Sequence, residues 1–270
     1  MTRALYQGRT ALVTGASSGI GEAFARALAA RGMSLVLVAR NREALERLSQ
    51  ELHHAHHTRV ELIMADLSKE ADVAAIPRQL SEKGLQVDLL VNNAGFMTYG
   101  HFEAIEPAAD HAEVMVNVTA VVDLCHALLP GMLQRRQGGI INVASIVAFQ
   151  PIPFMAVYSA TKAFVVAFSM ALAEEMRGRG VRVVTLCPGP TATQLFVRSN
   201  SADVIRVGSH TPDKVVATAL KAFEQGRGLI VDGWRNTMLT YFSSVLPRRF
   251  TAHMAGRQVR PKQGPDPGVM

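Results

Sequence analysis

The sequence predicts a single doubly wound α/β domain: a parallel sheet of about seven strands with helices on both faces, followed by a C-terminal helical extension. Three observations predict it. Short β-rich runs that are apolar on both faces alternate with amphipathic stretches of helix length. The first of these runs ends in a glycine-rich turn that opens into a helix. The chain has 270 residues, 49% hydrophobic and only 19% charged, enough for one large core and too apolar for a disordered chain.

The elements follow in order. Thr10–Thr14 reads as a strand and Ile20–Arg31 as a helix; Leu35–Ala39 is the next strand, and Arg42–Leu52 a helix with leucines at 45, 48 and 52. Val60–Met64, a helical pattern over 69–82 and the strand Val87–Val91 come next. Two long helical stretches, 108–134 and 155–178, flank the strand Ile140–Val143. Val181–Leu186 and Gly228–Val231 are the last apolar runs. Right-handed crossovers between such strands put helices on both faces of one sheet. The predicted organisation is one domain over 1–233, a basic amphipathic helical extension over 234–260 and a disordered tail over 261–270.

The turn after the first strand reads Thr14-Gly15-Ala16-Ser17-Ser18-Gly19-Ile20-Gly21. Its glycines permit a tight turn and a close backbone approach, and the free N–H groups of the following helix suit a pyrophosphate. The bland alternative, tight packing alone, loses to the position of the turn between strand and helix. The second strand ends Ala39-Arg40-Asn41-Arg42, with no acid to bind a ribose 2′-hydroxyl. An arginine there accommodates a 2′-phosphate, so Arg40 points to NADP(H) over NAD(H).

Tyr158 and Lys162 stand four apart on a helical stretch, on one face. A nearby ammonium favours the phenolate and lowers the tyrosine pKa, making a proton donor or acceptor. Ser145 follows the strand Ile140–Val143. Asn92-Asn93-Ala94-Gly95 and Pro188-Gly189-Pro190-Thr191-Ala192-Thr193 follow two others. Polar turns at the carboxyl ends of parallel strands face one crevice. Asn117, by sequence alone, is a core asparagine in an apolar helix.

Together TGASSGIG (14–21), Asp66, NNAG (92–95), Asn117, Ser145, YSATK (158–162) and PGPTAT (188–193) resemble the classical short-chain dehydrogenases/reductases over about residues 8–233. The resemblance implies a Rossmann-type domain and a catalytic tetrad of Asn117, Ser145, Tyr158 and Lys162. It also implies a cofactor site formed by Gly15, Ser17, Ser18, Gly19, Ile20, Gly21, Arg40, Asp66, Leu67, Asn93, Ala94, Gly95, Tyr158, Lys162, Pro188, Gly189, Thr191 and Thr193. In that reading Asp66 contacts adenine and 93–95 line the adenosine ribose. The 188–193 turn meets the carboxamide and phosphates, and Lys162 holds the nicotinamide ribose. The implied activity is hydride transfer between NADP(H) and an apolar ketone, aldehyde or secondary alcohol, with Tyr158 as acid or base. Segment 194–209 corresponds to the family's mobile substrate loop, and Phe149, Ile152, Phe154 and Met155 are expected across from it. Family members pair through the helices matching 108–134 and 155–178, which implies a homodimer or homotetramer.

Other signals bound the function. The net charge is +6, but six basic residues and one acid, Asp266, lie beyond residue 233; a neutral body argues against nucleic acid. Two separated cysteines, Cys125 and Cys187, and no signal pattern point to the cytoplasm. The uncharged run Gln137–Thr161 is broken by Asn142, Gln150, Pro151 and Pro153, so no spanning helix is expected from it. His53, His54, His56 and His57 at a helix end lack a carboxylate or cysteine to complete a metal site, and no metal is expected. In the tail, Met238, Phe242, Leu246, Phe250 and Met254 recur every four residues among arginines, with Pro247 dividing them into two short helices. Docking on the body and peripheral contact with a membrane both fit that pattern. A competing function is an NADP(H)-binding regulatory or membrane-surface protein without turnover.

Overall fold

The structure is a computed structural model, and it describes residues 5–191 and 210–261. Thr193 and the segment 194–209, expected at the cofactor turn and as the substrate loop, lie outside the described residues, as does the tail from 262.

Alternation along β1 (Thr10–Thr14) and β2 (Ser34–Ala39) organises the interior. Ala11, Val13, Leu35 and Leu37 enter one core, while Leu12, Val36 and Val38 enter the other. Both faces are therefore buried, as the continuous apolar runs required. β3 (Val60–Met64), β4 (Leu89–Asn92), β5 (Gly138–Val143), β6 (Val181–Cys187) and β7 (Leu229–Val231) complete a seven-stranded sheet of order β3-β2-β1-β4-β5-β6-β7. Every pairing is parallel.

The first core takes α1 (Gly19–Ala29), α2 (Arg42–His56) and α7 (Pro212–Gln225) through Phe24, Leu28, Leu45, Val216 and Phe223. The second takes α3 (Glu70–Glu82), α5 (Ala120–Gln134) and α6 (Ala156–Glu175) through Ile76, Leu124 and Leu172. The long stretch predicted over 108–134 is divided: α4 (Pro107–Val114) and α5 are joined by a π-helical turn, Met115–Thr119. Such single π turns often mark functional sites, and this one carries Asn117.

By length and composition, Pro107–Gln134 and Ala156–Glu175 are each apolar enough to cross a membrane. Neither is an uncharged run, because charged residues punctuate both on the sequence. Their place in the fold explains part of that composition: α5 packs on β4 and β5, and α6 on β5 and β6, with 33% and 39% of the two apolar windows buried.

Beyond β7 the chain forms α8 (Trp234–Val245) and α9 (Arg248–Val259), with Pro247 between them. The face turned to the body is small or polar: Thr240, Ser243, Thr251 and Ala255 are buried. Tyr99 Oη donates to the Val259 carbonyl at 2.8 Å. The four-residue stripe Met238, Phe242, Leu246, Phe250 and Met254 is exposed throughout. The tail thus docks by its small residues and leaves its large apolar ones outside.

Candidate active site

The strand order reverses between β1 and β4, and ligands bind at such a switch point beyond the strand carboxyl ends. Side chains pin the two ends together. Thr14 Oγ1 accepts the backbone N–H groups of Asn93 and Ala94, each at 3.0 Å, and Asn93 Nδ2 donates to the Thr14 carbonyl at 2.9 Å. A cleft of about 650 Å³ opens there.

The cleft gathers most of the predicted residues. Gly15, Ser17, Ser18, Gly19 and Ile20 line it from the turn. Arg40, Asp66 and Leu67 line it from β2 and β3, and Asn93, Ala94 and Gly95 from β4. Ser145, Tyr158, Lys162, Pro188, Gly189 and Thr191 line it from the β5 and β6 side. Asn117 lies buried behind the wall, and Gly21 is the other exception. It is buried under the turn, where a Cβ would overlap the Gly15 carbonyl and the Asn93 amide, so it serves packing rather than the cleft wall.

The turn is shaped for an anion. Gly15 has φ +65°, in the left-handed region. Ser18 precedes α1 without making a side-chain cap, which leaves the helix N-terminus uncapped by its own N-cap side chain. Arg40 stands at the rim with its side chain 70% exposed and its guanidinium 3.9 Å from Asp66. Burial acts to raise the Asp66 pKa, but the Ser68 hydrogen bonds and Arg40 outweigh it and hold the carboxyl below its ordinary value.

At the other end, Ser145 leaves β5 and its hydroxyl hydrogen-bonds Tyr158, which is 6% exposed in the first turn of α6. One turn on, Lys162 is buried and its Nζ donates to the Val143 carbonyl at 3.0 Å. Asn117 is also buried. Its Nδ2 donates to the Phe96 carbonyl at 2.9 Å and to Thr161 Oγ1 at 3.1 Å, and its Oδ1 accepts the Phe96 N–H at 3.2 Å. Gly95 lies between Asn117 Oδ1 and Lys162 Nζ, close to both.

The electrostatics correct one expectation. Lys162 was expected to lower the Tyr158 pKa, yet burial raises it, Glu113 adds to the rise, and the Ser145 hydrogen bond only partly offsets them. The ammonium stands 5.8 Å from the ring centroid and is itself desolvated, its pKa drawn down to about 8 against the opposing pull of Glu113 and Cys187. Burial in low dielectric disfavours both charged forms.

The described residues give one side of the expected apolar wall. Ile152 and Met155 pack in a closed cluster with Met97, Tyr158 and Ala255 of α9. Phe149 packs against the cluster of Ala144, Val165 and Cys187, and the Phe154 ring sits 5.1 Å from His101. Phe96, Met97 and Val116 line the cleft. The tail closes over the first pair through Ala255, as the docking alternative expected.

Two groups escaped the sequence reading. Glu113 lies one turn before Asn117; a lone acid in the apolar run Ala112–Val118 was the available signal. His210 Nδ1 hydrogen-bonds the Asp232 carboxyl, and the His210 backbone N–H donates to the Pro190 carbonyl at 3.0 Å. Asn236 of α8 donates to the Asp232 carbonyl at 2.6 Å and packs on Gly189, linking the tail to the turn.

The fold and cleft are those of a nicotinamide-dependent oxidoreductase, and comparison with known proteins agrees. The family model described as short chain dehydrogenase matches residues 9–204. The 17-beta-hydroxysteroid dehydrogenase type 3 of Rattus norvegicus is 35% identical over 217 residues, covering 79% of this chain and 69% of that protein. The very-long-chain 3-oxoacyl-CoA reductase of Homo sapiens is 34% identical over 220 residues, 79% and 68% of the two chains. The solved structure of a short-chain dehydrogenase from Sphingobium yanoikuyae in complex with NADPH has a TM-score of 0.79 and 32% identity, covering 96% of this chain and 98% of that one. The chain belongs to the short-chain dehydrogenase family. It is an oxidoreductase of CH–OH and C=O groups that uses a nicotinamide cofactor.

Proposed function

We propose that this chain reduces apolar ketones or aldehydes with NADPH, and oxidises the corresponding alcohols in reverse, with Tyr158 as the acid or base. The observation that carries the reading is the convergence of Ser145, Tyr158 and Lys162 at one end of a cleft whose other end holds Arg40. The uncapped N-terminus of α1 and the left-handed Gly15 fit a dinucleotide pyrophosphate. Arg40 fits the 2′-phosphate; Asp66 and Leu67 fit the adenine side, and residues 93–95 its ribose. Pro188, Gly189 and Thr191 fit the nicotinamide end. The bound nicotinamide supplies or receives the hydride.

The protein's part follows from its own groups. A buried tyrosine whose pKa is raised stays protonated at neutral pH and can donate to a carbonyl oxygen. The Ser145 hydroxyl, already bonded to Tyr158, is placed to stabilise charge on the same oxygen. Lys162, anchored on Val143, supplies a positive charge below its titration near 8. Asn117 holds the backbone at Phe96 and positions the Gly95 corner. The apolar lining Phe96, Met97 and Val116 favours lipophilic carbonyl compounds, and relatives named for hydroxysteroids and very-long-chain 3-oxoacyl-CoA support that class.

The reading is tested by NADPH consumption against ketones graded by apolar size, with Arg40→Ala beside the wild type. Loss of a charge-assisted contact of about 1.5–3 kcal/mol should raise the KM for NADPH roughly 10- to 100-fold and leave that for NADH nearly unchanged. Equal effects on both cofactors would remove the NADP(H) assignment. Turnover confined to small polar sugars would remove the substrate class.

The exposed apolar side chains Val114, Phe164 and Met170 on the α4–α5 and α6 layer support pairing of this face with a second copy, giving a dimer or tetramer. The tail supports a different contact. Trp234, Tyr241, Phe242 and Val245 are more than half exposed. Arg235 stacks on Trp234 at 5.5 Å, and residues 234–261 contain no acid. Self-pairing there would oppose like charges, whereas an anionic lipid surface complements both arginines and aromatics. The chain is read as cytoplasmic, with peripheral membrane contact through 234–260. Sedimentation with anionic vesicles should pellet the wild type, and the double variant Trp234→Glu, Phe242→Glu should lose most of that binding. Equal pelleting would exclude the membrane contact.

A further inference from the structure

Glu113 is a carboxyl with no exposed surface, and the tetrad as read above makes no use of it. Its Oε2 accepts the Thr98 backbone N–H at 2.8 Å and the Thr98 hydroxyl at 2.7 Å. Its Oε1 faces Asn117 Nδ2 at 3.5 Å. The Thr98 hydroxyl is also 2.8 Å from Asp110 Oδ1. Glu113 therefore stands behind Asn117, which bonds Thr161 of α6 and shares the Gly95 corner with Lys162 Nζ. Burying a carboxyl is costly unless it is paired and hydrogen-bonded, and an amide or threonine would satisfy Thr98 without that cost.

The surroundings say what the charge does. Burial pushes the Glu113 pKa up to about 7 and Asp110 on the same helix pushes the same way, while the Thr98 hydrogen bonds and Lys162 hold it down. On α6, Lys162 and Tyr158 feel its negative charge, which raises the pKa of each. From the strand-end loop Thr98 faces it, and from the π turn Asn117.

We propose that Glu113 is a positioning residue of the reaction, holding Asn117 from behind and keeping Lys162 and Tyr158 in their protonated forms through its buried charge. This rests on the tetrad assignment. The charge works in one direction: it favours the proton-donating state needed for reduction and disfavours the phenolate needed for oxidation. A neutral group bonded to Thr98 would not affect the protonation of α6.

Glu113→Gln keeps an acceptor for Thr98 and removes the charge; Glu113→Asp keeps the charge. The readout is the high-pH limb of kcat/KM for ketone reduction, where an essential proton is lost. The Gln variant should move that midpoint to lower pH by about one unit, and the Asp variant should leave it near the wild-type position. A Gln midpoint coincident with wild type, with activity reduced equally at every pH, would overturn the proposal. The wild type gives an independent reading should the Gln variant not fold. Carboxyl NMR of ¹³C-glutamate-labelled protein should show one buried glutamate titrating near 7, and its absence overturns the proposal as well. Tyr158→Phe separates the two levels. If that variant turns over normally, the tetrad reading fails; if it is inactive while the Gln limb is unmoved, only the role of Glu113 fails.

Discussion

Tyr158→Phe is expected to lower kcat/KM for ketone reduction by about 10²–10⁴-fold, the range of general acid catalysis, while NADPH still binds. The ring packs among Met97, Ile152 and Met155, and phenylalanine keeps that packing. What it loses is the hydroxyl that Ser145 bonds, the one proton donor at this end of the cleft in the proposed mechanism. The lost hydrogen bond costs stability of only about 1 kcal/mol, so a thermal melt should move by a few degrees at most while turnover collapses. Steady-state kinetics beside NADPH fluorescence titration makes the distinction. Retained turnover would transfer the acid role to another group. The pH sense follows from burial: because the Tyr158 pKa is raised, reduction proceeds at neutral pH and oxidation gains as pH increases toward the phenolate.

Gly21→Ala is expected to damage fold and cofactor binding together. The new methyl would occupy space held by the Gly15 carbonyl and the Asn93 amide. Both are fixed: Gly15 N donates to the Val38 carbonyl at 2.8 Å, and Asn93 Nδ2 donates to Thr14. Relief requires moving the turn away from β4. Overpacking of this kind costs about 1–3 kcal/mol, and the displaced turn no longer presents Gly15 to the cleft. Chemical denaturation and NADPH titration should therefore fall in parallel. A variant with wild-type affinity and stability would show that α1 can shift without cost, contrary to the packing described.

Much of this molecule was legible before any coordinates. The strands were legible because a doubly buried parallel sheet leaves unbroken apolar runs, and the helices because their stripes repeat at 3.6. The cleft residues were legible because glycine turns and polar strand ends have few other uses at those positions. Gly21 was legible as a glycine of close approach, and the structure shows that approach against the Gly15 carbonyl and the Asn93 amide. Glu113 stayed hidden because a lone acid on a helix ordinarily points to water; only its burial behind Asn117 singles it out. The tail misled on direction. A regular apolar stripe was read as a possible inward face, but Thr240, Ser243, Thr251 and Ala255 turn inward instead.

By itself, then, the sequence determined the order of elements, the two-faced core, the glycine turn and the residues gathered at the strand ends. These follow from local periodicity and from backbone conformations that few residues allow. The tertiary structure alone decided the protonation balance of Tyr158 and Lys162, the sealing of Ile152 and Met155 by α9, and the link from Asn236 to the Gly189 turn. Each depends on desolvation or contact between segments far apart in the chain, and neither distance nor dielectric is written in residue order.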